Sequence, residues 1–212
     1  PKREEVRQLV EEIRENNSNA VSVCFLNAFI NPTNEILVRD WLKAELSEVR
    51  VSTSHEVCPE IREFERMSTV ALNAATIPLM AAYLAEVTPR IQATMPNAKV
   101  LLMQSNGGLT TIADAGRRPC HIIESGPAAG VVGAQALARK VGERDIITFD
   151  MGGTTAKASL IEDGVYTRSQ EYSVGAGIMI GSRLLTGAGY QLKVPAIGLA
   201  EVGAGGGSIV WI

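Results

Sequence analysis

The sequence predicts an α/β protein with a mixed sheet flanked by helices, and three observations predict it. Amphipathic helical segments alternate with short β-branched apolar runs through residues 1–58. None of the 20 glycines lies before Gly107, so a helix-rich half gives way to a turn-rich half. Within that second half a short apolar strand runs into a Gly-Gly turn and returns as an alternating strand, adding an antiparallel hairpin to βα units that otherwise favour parallel pairing.

Taken in order, Val6, Leu9, Val10 and Ile13 recur at helical spacing and place an amphipathic helix before the polar run Asn16 to Asn19. Ala20 to Leu26 is short, apolar and β-branched, as a buried strand requires. Asn31-Pro32 opens a second helix as N-cap and first-turn proline, with Ile36, Leu37, Trp41, Leu42 and Leu46 expected on its buried side. Val49 to Ser54 alternates as a strand, so the order αβαβ predicts a parallel pair. From Pro59 to Gln92 the chain reads as a long Ala-rich helix that Pro78 would kink or divide. Val100 to Met103 is a further buried strand. Glu124 to Gly130 leads into a helix, with Ser125 as N-cap and Pro127 in the first turn, whose Ala128, Ala129, Gly130, Gly133 and Ala134 permit close packing. Ile146 to Phe149 reads as a buried strand, Thr155 to Ile161 alternates, and Glu162-Asp-Gly164 turns the chain into Val165 to Arg168.

Charge and composition narrow the function. The 20 Lys+Arg against 23 Asp+Glu give a formal charge of −3, which denies a nucleic acid or an anionic membrane the attraction on which its binding relies. No uninterrupted apolar run reaches the ~20 residues of a membrane span, and Pro1-Lys-Arg-Glu-Glu5 starts an amphipathic helix rather than a signal peptide, so a cytoplasmic protein is expected. Cys24, Cys58 and Cys120 are odd in number, far apart and without a CxxC pair. Buried thiols are expected, not disulfides or a zinc site.

The richest chemistry lies between Ile146 and Ile161. A strand delivers Asp150 at its tip; Gly152 and Gly153 then let backbone N–H groups approach an anion with no Cβ in the way; Thr154 and Thr155 add hydroxyl donors. Asp150 can hold a hydrated Mg²⁺ beside the anion. These parts suit phosphoryl transfer, where positioning and charge neutralisation supply most of the rate. A Gly-Gly turn capped by an Asp explains the same residues without a ligand. On the phosphate reading, Asp150 and the Gly152 and Gly153 amides should line a cleft at the carboxyl end of a sheet.

Phe149-Asp-Met-Gly-Gly-Thr-Thr155 resembles the second phosphate loop of the actin-like ATPase superfamily of sugar kinases, chaperone ATPases and actin. Four further motifs, His55 to Arg66, Met103 to Gly108, Ser125 to Gly130 and Val202 to Ile209, are similar in order and spacing to the hydantoinase A/5-oxoprolinase family, which includes ATP-dependent acetone and acetophenone carboxylase subunits. The resemblance covers essentially the whole chain. It implies an actin-like (ribonuclease H-like) fold, with residues 1–58 ending a first lobe and residues 59–212 forming part of a second lobe that carries the phosphate loop. It also implies ATP and Mg²⁺ as cofactors, and a small cyclic amide or carbonyl compound as substrate. A second subunit or domain of the same enzyme is implied as partner. Asp150 would position Mg²⁺ or the attacking water, and Gly152, Gly153, Thr154 and Thr155 would hold the β/γ-phosphates. Gly205, Gly206 and Gly207, in a second Gly-rich loop, would approach the nucleotide or substrate, although a plain turn accounts for them equally well. Family members are several times longer and carry a first Gly-Gly-Thr phosphate loop without counterpart here, so an internal fragment, inactive alone, is expected.

Within the resemblance a ketone carboxylase subunit and a non-catalytic nucleotide-binding scaffold are alternatives to the amide-opening enzyme. From another class, Gly175 to Gly181 with Glu201 about 20 residues on resembles an imperfect dinucleotide loop. The charge run Glu60, Arg62, Glu63, Glu65 and Arg66 reads as a solvated ion-pair face, and His55 and His121 read as structural histidines.

Overall fold

In the computed structural model, which describes residues 1–174 and 189–209, the chain divides into two compact units. The first is Pro1–Val100 with Thr111–Cys120, and the second is Leu101–Thr110 with His121–Ile212. This division does not fall at the expected residue 58, because the long helix that follows packs on the first two strands and belongs with them.

In the first unit, α1 (Arg3–Glu15) buries Val6 and Val10. Strands β1 (Ala20–Val23) and β2 (Arg50–Thr53) pair in parallel, with Val23 opposite Thr53. Helix α2 (Thr33–Glu45) connects them, and Val6, Val10, Val23, Val38, Leu42 and Leu46 form the core. Asn31 acts one position before the cap: its Oδ1 accepts from the Thr33 amide at 3.1 Å while Pro32 occupies the cap itself. The buried side of α2 departs from expectation, for Leu37 is exposed and Glu35 is fully buried. The reason is a ring of donors around the carboxylate. Phe25 N (2.8 Å), Ser54 Oγ (2.5 Å), His55 N (2.8 Å) and His55 Nδ1 (2.8 Å) all reach it. Burial pushes the Glu35 carboxyl up, but the Ser54 hydroxyl and these N–H groups overcome that push and hold it below its ordinary value.

After the single turn α3 (Ser54–Val57) comes α4 (Glu63–Thr94), one continuous helix of 32 residues with Pro78 and Pro89 inside it, so Pro78 does not divide it. Arg66 overturns the expected solvated charge face. It is fully buried, donates from Nη2 to Phe25 O at 2.5 Å and from Nη1 to Glu60 O at 3.3 Å, and lies 5.4 Å from the centre of the Phe29 ring. Contrary to the sequence expectation, α4 is long and apolar enough, by length and composition, to cross a membrane. Here its Val70, Ala74 and Ile77 are buried, and its Asn73 Nδ2 donates to Ser52 Oγ of β2 at 2.9 Å. A short α5 (Ile112–Arg117), capped by Thr111 Oγ1, completes the unit.

The second unit begins with β3 (Leu101–Met103), paired with β4 (Leu109–Thr111) around a turn in which Gly107 takes φ +84°. Helix α6 (Ser125–Val141) has Glu124, not Ser125, at its cap and ends on left-handed Gly142. Then follow β5 (Ile146–Met151), β6 (Ala156–Glu162), β7 (Val165–Tyr166), β8 (Arg168–Ser169), β9 (Tyr172–Val174), β10 (Tyr190–Leu192), β11 (Ala196–Ile197) and β12 (Ala200–Val202). The principal sheet runs in the order β12-β6-β5, antiparallel throughout, with β7 also on β6. On one face Ile161 packs with Ile146, Ala128, Val131 and Ile197. On the other, Ile147 (75%), Phe149 (66%) and Met151 (52%) stay exposed, so β5 is not the buried strand that its apolar run predicts.

Candidate functional site

The site is built where β5 ends. Asp150 and Lys157 are opposite each other in the β5–β6 ladder, and Lys157 is opposite Glu201 in the β6–β12 ladder. Directly opposed residues share a face, so one row across three strands reads Asp150, Lys157, Glu201. Lys157 Nζ donates to Glu201 Oε1 at 3.4 Å and to Glu124 Oε2, at the cap of α6, at 2.5 Å. Burial would lower the lysine's pKa, but the bonds to Glu124 and then Glu201 outweigh it and hold the ammonium above its ordinary value. Asp150 takes no hydrogen bond from a described residue, and its carboxylate is exposed. It lines a cavity of about 290 Å³ with Thr148, Lys157, Pro127, Gly130 and Val131.

Gly152 and Gly153 do not line that cavity; they face the second Gly-rich loop. Gly206 N donates to Gly152 O at 2.9 Å and Gly207 N to Gly153 O at 3.0 Å, while Gly152 N closes its own turn on Thr155 O at 3.0 Å. The loops touch backbone to backbone. A Cβ on Gly205 would stand 2.6 Å from Gly152 O and 2.7 Å from both Gly153 C and Thr154 N, which no side chain tolerates. The three glycines expected to approach the nucleotide thus sit against the first loop, with the Gly205 amide also engaged, by Ser208 Oγ at 3.0 Å.

This clamp aims the first loop. A trans peptide points its N–H opposite to its C=O, and there is no cis bond here. Because the carbonyls of Gly152 and Gly153 face the 205–207 loop, the N–H groups of Gly153 and Thr154 point away from it, and neither has a partner among the described residues. Two successive outward donors form an anion-binding concavity. A Cβ on Gly153 would meet nothing within 4 Å, so open space lies beside them. These donors fit a phosphate. Asp150 fits Mg²⁺, which takes one or two carboxylates and completes its octahedron with water and phosphate oxygens. No cluster of three or more His, Cys, Asp or Glu among the described residues is placed to hold a metal by itself. The hydroxyl of Thr154 is exposed and that of Thr155 half-buried at the mouth of β6.

Sequence reasoning brought out Asp150 and both glycine loops, missed Lys157, and gave Glu124 and Glu201 other places, Glu124 at the head of a helix and Glu201 as the acid of the alternative dinucleotide loop. The period-2 alternation of Thr155 to Ile161 was the available signal, since it puts Lys157 on the face of the strand shared with Ser159 and Ile161. Gly175 to Gly181, the alternative dinucleotide loop, lies outside the described residues. Among the thiols Cys58 and Cys120 are buried as expected and Cys24 is half-buried, and the three are not in disulfides. Burial pushes the Cys120 thiol up to about 12, with Cys58 adding to the effect.

Comparison with known proteins gives these features a context. The profile of the hydantoinase/oxoprolinase family matches residues 66–212. The chain is 41% identical over 209 residues to the uncharacterized protein MJ0964 of Methanocaldococcus jannaschii, covering 99% of this chain and 31% of that protein. It is 31% identical to caprolactamase subunit alpha of Pseudomonas jessenii, covering 96% of this chain and 27% of the relative. Among solved structures, the ATP-dependent caprolactamase of Pseudomonas jessenii superposes with a TM-score of 0.72 at 31% identity, over 98% of this chain and 28% of that one. The nucleotide-free acetone carboxylase superposes with a TM-score of 0.78 at 23% identity, over 96% of this chain and 27% of that one, a likeness of fold. The chain therefore spans less than a third of the length of these relatives.

Proposed function

The chain belongs to the hydantoinase/oxoprolinase family, and from that premise we propose that it is the phosphate-loop portion of an ATP-dependent enzyme that opens a cyclic amide. One observation carries the reading: the 205–207 loop holds the carbonyls of Gly152 and Gly153 and so turns the Gly153 and Thr154 N–H groups outward beside Asp150, whose carboxylate takes no hydrogen bond from a described residue. The fold, shared with actin-like ATPase-type enzymes, supports the same reading.

The nucleotide, when bound, supplies the energy that makes a poor amide electrophile reactive. Gly153 and Thr154 would bind its terminal phosphates through their amides, with Thr155 adding a hydroxyl. Asp150 would hold Mg²⁺ or orient a water. Lys157, neutralised by Glu124 and Glu201, keeps the row on β6 rigid rather than competing for the phosphate. We place the enzyme in the cytoplasm, where free thiols persist, and assign it a partner subunit or domain, as the subunit name of the caprolactamase relative suggests.

The test uses the full-length enzyme. Asp150→Asn should reduce ATP turnover by ~10²-fold or more with nucleotide affinity largely kept. A Cβ on Gly153 meets nothing within 4 Å among the described residues, so Gly153→Val should fold normally and lose nucleotide affinity. Thermal unfolding controls for folding, and wild-type ATPase and affinity in both variants would leave this loop a plain turn.

A further inference from the structure

We infer that His55, held by buried Glu35, is a proton-transfer group that the phosphate loop does not supply. The inference deepens the amide-opening reading and rests on it for its substrate, but its geometry lies wholly within the first unit. β1 and β2 run parallel, and the residues after their carboxyl ends, Phe25 and Ser54-His55, converge on the Glu35 carboxylate. The carboxyl ends of parallel strands are where open α/β sheets place their ligands.

Glu35 is fully buried and ionised, so it only accepts hydrogen bonds. The His55 nitrogen 2.8 Å from it, Nδ1, must therefore carry the hydrogen, and the neutral ring keeps its lone pair on Nε2. Nε2 has no partner among the described residues, and the side chain is 14% exposed, enough to meet water or a small molecule. A carboxylate that fixes tautomer and ring plane in this way is the arrangement that makes imidazole an effective base.

Charge nearby does not disable the ring. Glu56 is paired with Arg39 at 2.7 Å, and Arg66 is turned to the Phe25 and Glu60 carbonyls. A second observation marks the same place. Among the described residues the buried side-chain polar atoms left without a partner are Thr53 Oγ1, on the residue before Ser54-His55, and Arg66 Nε. Such orphans are rare in folded proteins, and a polar group or water brought to this place would satisfy them. The segments that Arg66 ties together and the first turn of α4 also carry the exposed apolar side chains Leu26, Ile30, Ile61 and Phe64, which an uncharged ring could contact.

The step balances. As the oxygen of a water bonds to the carbonyl carbon of the cyclic amide, the C=O π pair moves onto the carbonyl oxygen, one O–H bond of the water breaks and its proton passes to Nε2. The C=O bond re-forms as the C–N bond breaks and the Nε2 proton moves to the departing amide nitrogen, leaving an open-chain amino acid and a neutral His55.

The experiment uses the full-length enzyme with a panel of lactams and ATP. His55→Ala should lose ~10²–10⁴-fold in ring opening, and added imidazole should restore activity in proportion to its unprotonated form, which a structural role would not produce. Glu35→Gln removes the charge and turns one of the two acceptor oxygens into a donor among four donors, and kcat should fall while KM holds. Ring opening by His55→Ala within threefold of wild type, or no rescue, would overturn the inference. Should the wild-type enzyme hydrolyse ATP yet open no lactam, the amide reading fails, and carbethoxylation with peptide mass analysis decides on His55 by itself. Faster modification of His55 than of His121 supports an available Nε2, and equal or slower modification overturns it.

Discussion

The two units hold chain segments at the end of a sheet with opposite materials. In the first, which contains no glycine through residue 100, buried side chains do the holding. Glu35 gathers four donors from the ends of β1 and β2, and Arg66 ties the loop after β1 to the start of α4. In the second, peptide groups meet directly: the 205–207 loop lies on Gly152 and Gly153 with no side chain between them. A side-chain clamp fails when a charge is removed, and a backbone clamp fails when volume is added. The first kind positions atoms through flexible groups that must be satisfied; the second does so through planar amides whose direction follows from their partners.

The contrast should break most visibly at Arg66. Arg66→Ala removes the donor to Phe25 O and opens a cavity where a fully buried side chain stood, and is expected to lower stability by about 2–5 kcal/mol, measured by urea unfolding. Arg66→Met keeps much of the volume without the charge. Stability equal to wild type in that variant would mean that volume, and not hydrogen bonding, holds the first unit together. On the other side, Gly205→Ala adds one methyl where 2.6 Å is available, and the resulting shift should cost about 1–3 kcal/mol. Nucleotide affinity of the full-length enzyme, followed by titration calorimetry, should fall with it, because the outward direction of the Gly153 and Thr154 amides depends on that contact.

A smaller effect separates the units by pH. Glu35 has a lowered value in the fold, so its contribution is present above the unfolded carboxyl value of ~4.3 and is lost as pH falls through the folded value. Lys157 has a raised value, so its contribution is present below ~10.4 and is lost as pH rises through the folded value. Unfolding followed from acid to alkaline pH should show Glu35→Gln flattening the acid arm and Lys157→Met the alkaline arm. The smallest effect sharpens the contrast within the second unit itself. A Cβ on Gly133, inside α6, meets nothing within 4 Å, so Gly133→Ala should raise stability by about 0.4–1 kcal/mol. A loss there would show that this glycine, too, is needed for close approach.

What could be read in the sequence was local. Helical spacing placed α1, Asn31 and Pro32 placed the start of α2, and the Gly-Gly pair after an apolar run placed the loop beyond β5. What escaped depends on partners distant in the chain. Glu35 is buried because Ser54 and His55 arrive 19 and 20 residues later, and nothing around a Glu in an amphipathic helix announces that. Lys157 is locked by Glu124 from 33 residues before it. The 205–207 loop could be recognised as glycine-rich, but only the approach of Gly152 explains why Gly205 has no side chain. Arg66 misled for the same reason, since in sequence it is one more charge in a charged run.

The open face of β5 has a practical meaning for anyone handling this chain by itself. Ile147, Phe149 and Met151, with Leu160 and Val202 beside them, present an oily row next to an edge strand, the arrangement through which sheets recruit one another into aggregates. Isolated chains should therefore bind hydrophobic dyes and precipitate as concentration rises. Because successive strand residues point to opposite faces, solubility and chemistry can be adjusted independently: Phe149→Lys changes the oily side, while its neighbour Asp150 keeps its place in the charged row.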